Sequence, residues 1–133
     1  FLKKQNFSNP LKYIYYNYIR KENINSIQSV KKFLEKFEKN IRLIKGDTNR
    51  VLKSIDLSKF DYVFVDGGHS YQTVLNDLDT LYLSLKNKRK ILLCDDYGSK
   101  SLILEVKSAV DDFVNKNKLK MKVIEERFAE IIT

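Results

Sequence analysis

The stretch Phe60-Asp61-Tyr62-Val63-Phe64-Val65-Asp66-Gly67-Gly68-His69-Ser70-Tyr71 decides the fold. Tyr62, Val63, Phe64 and Val65 form a nearly continuous apolar run that stops at Asp66 and two glycines. Continuous runs, unlike alternating ones, mark strands covered on both faces of a parallel sheet. Ser70 is a suitable N-cap. Behind it Tyr71, Val74, Leu75, Leu78, Leu81, Tyr82 and Leu85 recur at i, i+3, i+4 and i+7, the stripe of an amphipathic helix. Strand, acid, glycine turn and helix make one strand–helix unit.

The same unit recurs on either side. Downstream, after the cationic turn 86–90, Ile91-Leu92-Leu93-Cys94 reads as a buried strand ending at Asp95-Asp96-Tyr97-Gly98. A helix from Ser101 then turns Leu102, Val106, Ala109, Val110 and Phe113 inward. Upstream, Ile41-Arg42-Leu43-Ile44 is short and apolar, stops at Gly46-Asp47, and reads as a strand. Thr48 caps a short helix carrying Val51, Leu52 and Ile55. Earlier still, Pro10 opens one helix with Leu11, Ile14, Tyr15, Tyr18 and Ile19 on a stripe. Ser26 opens a second, with Ile27, Val30, Phe33, Leu34 and Phe37. The cluster Tyr13, Tyr15, Tyr16 and Tyr18 is read as packing rather than as a base-stacking surface. Residues 121–124 and 128–132 read as two closing strands. This alternation predicts an α/β fold with a Rossmann-like, doubly wound, mostly parallel sheet. It is read as one domain, with residues 1–39 a helical lead-in and 40–133 the sheet portion.

Composition narrows the function. With 133 residues, 43% of them hydrophobic, four glycines and one proline, the chain is neither disordered nor collagen-like. No apolar run approaches the roughly 20 residues of a membrane span, and no signal peptide shows, so no membrane partner is expected. Cys94 is the only cysteine; it forms no internal disulfide, and a reducing cytoplasmic location is expected. The net charge of +8 is carried by lysine, since arginine occurs only at positions 20, 42, 50, 89 and 127. Lysine travels here with Asn, Ile, Tyr and Phe, all encoded by AT-rich codons, so genome composition suffices to explain it. From Asp61 to Leu85 there are four aspartates and no Lys or Arg. A phosphate-tracking surface would not leave that gap, and no nucleic-acid partner is expected.

In open α/β sheets ligands bind beyond the carboxyl ends of the strands. All three strands read above end in acid: Asp47, Asp66, and the pair Asp95-Asp96. Clustered carboxylates raise one another's pKa unless a cation intervenes. An all-oxygen set suits Mg²⁺, Ca²⁺ or Mn²⁺ rather than Zn²⁺, so Asp66, Asp95 and Asp96 are candidate metal ligands. His69, the only histidine, follows Asp66 by three residues and sits beside two glycines. An imidazole suits a general base. Cys94 lies inside an apolar run and reads as an inert core thiol. No serine or cysteine has the partners of a hydrolytic triad, and no phosphate-binding Gly-x-x-x-x-Gly-Lys loop occurs. Arg50 stands where a metallophosphoesterase would carry its second aspartate, which excludes that reading.

Lys45-Gly46-Asp47-Thr48, the segment 60–71, and Asp95-Asp96-Tyr97-Gly98, in that order, resemble the class I S-adenosylmethionine-dependent methyltransferases. Within them the chain looks most like the metal-dependent sugar and macrolide O-methyltransferases, over residues 41–113. The resemblance implies the sheet order 3-2-1-4-5-7-6, with the strand ending at Asp47 third, that ending at Asp66 fourth and that ending at Asp95 fifth. It implies S-adenosylmethionine as cofactor, with Asp47 and Thr48 near the adenine and Asp66 also at the cofactor site. It further implies Mg²⁺ on Asp66, Asp95 and Asp96, His69 as base with Asp66 beside it in catalysis, and a small hydroxylated acceptor such as a sugar. The family's first strand with its glycine-rich turn, and the second strand's ribose-binding acid, would lie upstream of Phe1. The chain is therefore expected to be the C-terminal part of such an enzyme, folding poorly and holding the cofactor weakly or not at all by itself. The competing expectation is a non-catalytic Rossmann-like binding or interaction module.

Overall fold

Leucines 78, 85 and 92, with Val110, Phe113 and Ile131, are fully buried and set the centre of the apolar core formed by the described residues. Each contributes about 1.5–3 kcal/mol through the surface it removes from water. The computed structural model describes residues 9–15, 18, 26–85, 89–98 and 104–133. Contacts divide the chain into two units, Phe1–Asp47 and Thr48–Thr133.

The second unit holds the sheet. Its strands are β1 (Tyr62–Val65), β2 (Ile91–Cys94), β3 (Lys120–Ile124) and β4 (Phe128–Ile132). Their spatial order is β1-β2-β4-β3. The β1–β2 pair is parallel, and β2–β4 and β4–β3 are antiparallel. The sheet is therefore mixed rather than mostly parallel, because the terminal hairpin enters it reversed. The order reproduces the 4-5-7-6 half of the sheet implied by the resemblance. Two long helices, α4 (Tyr71–Leu85) and α5 (Leu104–Asn117), follow the short α1 (Pro10–Ile14), α2 (Ile27–Phe33) and α3 (Thr48–Val51). Val74, Leu78, Leu81 and Leu85 of α4 and Val106, Ala109, Val110 and Phe113 of α5 pack with Leu92, Cys94, Ala129 and Ile131. Side chains alternate across a strand, so the two helices cover one face of the sheet. On the other face Tyr62 and Phe64 stay about half exposed. The Tyr82 and Phe113 rings meet edge to face, 5.7 Å apart, where α4 crosses α5.

Caps and turns explain the element ends. The Tyr71 N–H at the start of α4 donates to Glu105 Oε2 of α5 (3.0 Å), and Ser70 Oγ accepts weakly from the Thr73 N–H. One helix thus caps the other. After α5, Lys118 has φ 53°, its N–H donates to the Asn115 carbonyl, and the Leu119 N–H donates to the Val114 carbonyl. That is a Schellman ending with lysine where glycine is usual. Lys118→Gly is expected to raise stability by about 0.5–1 kcal/mol, since it removes the left-handed penalty of a side chain. Urea unfolding measures it, and a lower midpoint would contradict the assigned ending.

In the first unit no described residue is buried. The Ser26 hydroxyl caps α2 through the Ser29 N–H, 3.1 Å, as the sequence predicts. The expected stripe of α1 is not buried: Leu11, Ile14, Tyr15 and Tyr18 are exposed, and a five-residue helix is too short to hold a face in place by itself. Residues 41–45 form no strand, which corrects the sequence expectation. Ile41 has extended angles, φ −126° and ψ 131°, but a strand exists only through a paired neighbour, and none of the described strands pairs with it. The expected helix start at Ser101, with Leu102, and the expected Tyr16 and Ile19 positions lie outside the described residues. No described helix is long and apolar enough to cross a membrane.

Candidate active site

The parallel register of β1 and β2 builds the site. Val65 faces Cys94, and the Asp95 N–H donates to the Val65 carbonyl (3.0 Å), so both strands end at the same level. Asp66 leaves β1 there, and Asp95 and Asp96 leave β2. A small pocket over these ends is lined by Asp66, His69, Asp77, Asp95 and Asp96. The chain turns at Asp96, whose φ is 57°. Aspartate tolerates this left-handed conformation better than most residues, and it swings the Asp96 side chain toward β1.

Asp66, His69 and Asp96 each offer a donor atom, and these atoms lie within 4.8 Å of one another. His69 Nε2 is 3.2 Å from Asp96 Oδ2. The imidazole is half exposed, and Asp96 less so. One divalent cation can bridge donors at this spacing. The group is Asp66, Asp96 and His69, however, not the expected three aspartates.

Asp95 goes elsewhere. Its Oδ1 accepts from Arg127 Nε and its Oδ2 from Arg127 Nη2, both at 2.6 Å, while Oδ1 also accepts from the Asp96 N–H at 2.7 Å. Donation from Arg127 holds the Asp95 carboxyl below the usual carboxylate range, against the opposing effect of burial. A lowered folded-state pKa gives stabilisation that is complete above the unfolded value, about 4, and lost as pH falls through the folded value. Urea unfolding carried into acid is expected to show this loss in the wild type and not in Asp95→Asn. An unchanged acid slope in the variant would contradict the pairing.

Two glycines beside a candidate base can let a ligand come close to the backbone. The room is taken by the protein itself, since a Cβ at Gly67 would lie 3.3 Å from Asp77 Oδ2 and one at Gly68 2.7 Å from Thr73 Cγ2. Asp77 is buried on α4 and escaped the sequence reading. The signal was there, since position 77 falls three residues after Val74 on the apolar stripe. Arg127 also escaped it, with no local signal. Cys94 is fully buried, and burial pushes its thiol up to about 12, so it stays protonated and inert. Thr48 opens α3 and Asp47 precedes it in the first unit; both are exposed.

The acid-rich segment finds its cations from later in the chain. Lys90, itself buried, reaches Asp61 at 2.5 Å, and Lys116 reaches Asp79 at 3.0 Å.

A family model described as a methyltransferase domain matches residues 12–97, well over half of the chain. The matched span runs through both strand ends of the site and stops at Tyr97. Nothing among curated proteins or solved structures matches the chain.

Proposed function

The chain belongs to the methyltransferase domain family, class I and S-adenosylmethionine-dependent, and from that premise we propose that it methylates a hydroxyl of a small acceptor such as a sugar. The observation that carries this reading is the convergence of Asp66, His69 and Asp96 at the ends of two parallel strands. Oxygen is a poor nucleophile while protonated, so its methylation needs a proton acceptor at the site. The Asp96 carboxylate, 3.2 Å from Nε2, favours the tautomer with its proton on Nε2. Nδ1 is then left to accept the acceptor's proton, and Asp96 stabilises the imidazolium that forms. S-adenosylmethionine, when bound, would supply the methyl group to the acceptor oxygen and be left as a neutral thioether, while His69 would hold the acceptor's proton. Holding the two reactants in line supplies much of the remaining acceleration.

A divalent cation suits the donor set, and Asp66 and Asp96 would hold it through carboxylate oxygens. Bound there, Mg²⁺ would polarise the acceptor hydroxyl and lower its pKa. By resemblance Asp47 and Thr48 are assigned to the adenine end of the cofactor, and Asp66 to the cofactor site as well. A cytoplasmic location accords with the single, reduced Cys94.

The test supplies the protein with S-adenosylmethionine labelled in its methyl group and a panel of sugars and their deoxy analogues. Label is expected on oxygen, and to vanish when the accepting hydroxyl is removed. Label on nitrogen or carbon would overturn the acceptor class. No transfer to any acceptor, with cofactor bound, would favour a binding module without catalysis.

A further inference from the structure

Three acids end β1 and β2, yet only two of them face His69. The third, Asp95, is buried and has both oxygens occupied by one guanidinium, Arg127. Arg127 comes from the turn between β3 and β4, and that turn is fixed against the end of β2. The Gly98 N–H donates to the Arg127 carbonyl at 3.0 Å, and a Cβ on Gly98 would lie 1.4 Å from the Glu126 carbonyl oxygen. The turn itself closes through the Arg127 N–H donating to Ile124, with Glu125 and Glu126 at φ 53° and 52°. The guanidinium also lies 5.1 Å from the Phe128 ring centroid. Its position is thus over-determined, and the fields of Asp96 and Asp66 reach it as well as that of Asp95.

We propose that Arg127 is a specificity-determining positioning residue of this site. By engaging both oxygens of Asp95 it keeps that carboxylate out of the cation's coordination sphere, and so sets how tightly a divalent cation is held. This inference rests on the cation reading given above. Affinity at oxygen-donor sites follows the number of charged ligands. Masking one acid leaves two carboxylates, Asp66 and Asp96, and Arg127 adds a positive charge at the rim. Bidentate capture is specific to arginine, since a lysine ammonium makes a point contact instead of a fork. Through Asp95 Oδ1, which also accepts from the Asp96 N–H, the same pair steadies the left-handed turn that aims Asp96 at His69.

Mn²⁺ titration of the purified protein, read from the electron paramagnetic resonance of free Mn²⁺, tests this without any turnover. Arg127→Gln is expected to bind Mn²⁺ at least about 10-fold more tightly than the wild type, because a third carboxylate is released to the ion. The double variant Arg127→Gln/Asp95→Asn is expected to lose that gain. A residue that only supports the fold would weaken binding when removed. Equal or weaker binding by a folded Arg127→Gln, with wild-type binding intact, overturns the role of Arg127 and leaves the cation reading standing. No Mn²⁺ binding by wild type or variant overturns both. If Arg127→Gln does not fold, Arg127→Lys decides: a smaller gain in affinity supports the inference, and an unchanged or weaker affinity overturns it.

Discussion

His69→Ala lowers kcat by about 10²–10⁴-fold, the span typical of losing a general base, and leaves affinity for S-adenosylmethionine close to that of the wild type. The separation follows from position. His69 stands beyond the end of β1, half exposed, with Nε2 on Asp96 Oδ2 at 3.2 Å, where a proton leaving an acceptor can be received. Asp47 and Thr48, assigned to the adenine, lie before and at the start of α3. Steady-state kinetics for turnover and calorimetry for cofactor binding separate the two effects. Asp96→Asn should reproduce part of the loss, because it removes the charge that stabilises the imidazolium. Unchanged turnover in His69→Ala would make this histidine structural and move the base to Asp66.

Gly98→Ala destabilises the fold by about 3–5 kcal/mol, above the ordinary range for a point change, because the added methyl would overlap packed backbone. Its Cβ would lie 1.4 Å from the Glu126 carbonyl oxygen, 2.2 Å from the Glu126 carbonyl carbon and 2.6 Å from Arg127 Cα. These are backbone atoms and cannot rotate aside. Relief would require the β3–β4 turn to withdraw, which would break the Gly98–Arg127 hydrogen bond and pull Arg127 from Asp95. Gly98 does not have positive φ, so space and not conformational freedom demands glycine here. Urea unfolding reads the effect directly. A loss below about 1 kcal/mol, the ordinary effect of a point change, would contradict the packing of the turn on the end of β2.

The parts of this molecule legible in its sequence are those where one physical signal acts alone. Tyr62–Val65 and Ile91–Cys94 are continuous apolar runs that each end at an acid, and both are strands. The stripe from Tyr71 to Leu85 repeats so regularly that α4 follows it end to end. Residues 41–44 carry the same local signal as β1, yet form no strand, because pairing is a property of the neighbour and not of the segment. The site shows the same division. Asp66, His69 and Asp96 stand out as strand-end residues and converge. Asp95 stands out equally but is engaged by an arginine 32 residues later, and nothing near Asp95 in sequence announces that partner. Asp77 was legible as an acid on an apolar stripe and was passed over. Of the left-handed residues, Asp96 is a type the usual turn signals allow, whereas Lys118, Glu125 and Glu126 are not, and those signals do not point to them.

The central claim is that this is an S-adenosylmethionine-dependent methyltransferase whose chemistry sits at the ends of β1 and β2. Titration calorimetry of S-adenosylmethionine into the protein at its full natural length, in wild-type and His69→Ala forms, tests it most directly. Saturable one-to-one binding of similar affinity in both, with labelled methyl transferred by the wild type alone, is the predicted result. Absence of cofactor binding in the wild type, or equal methyl transfer by both forms, would contradict it.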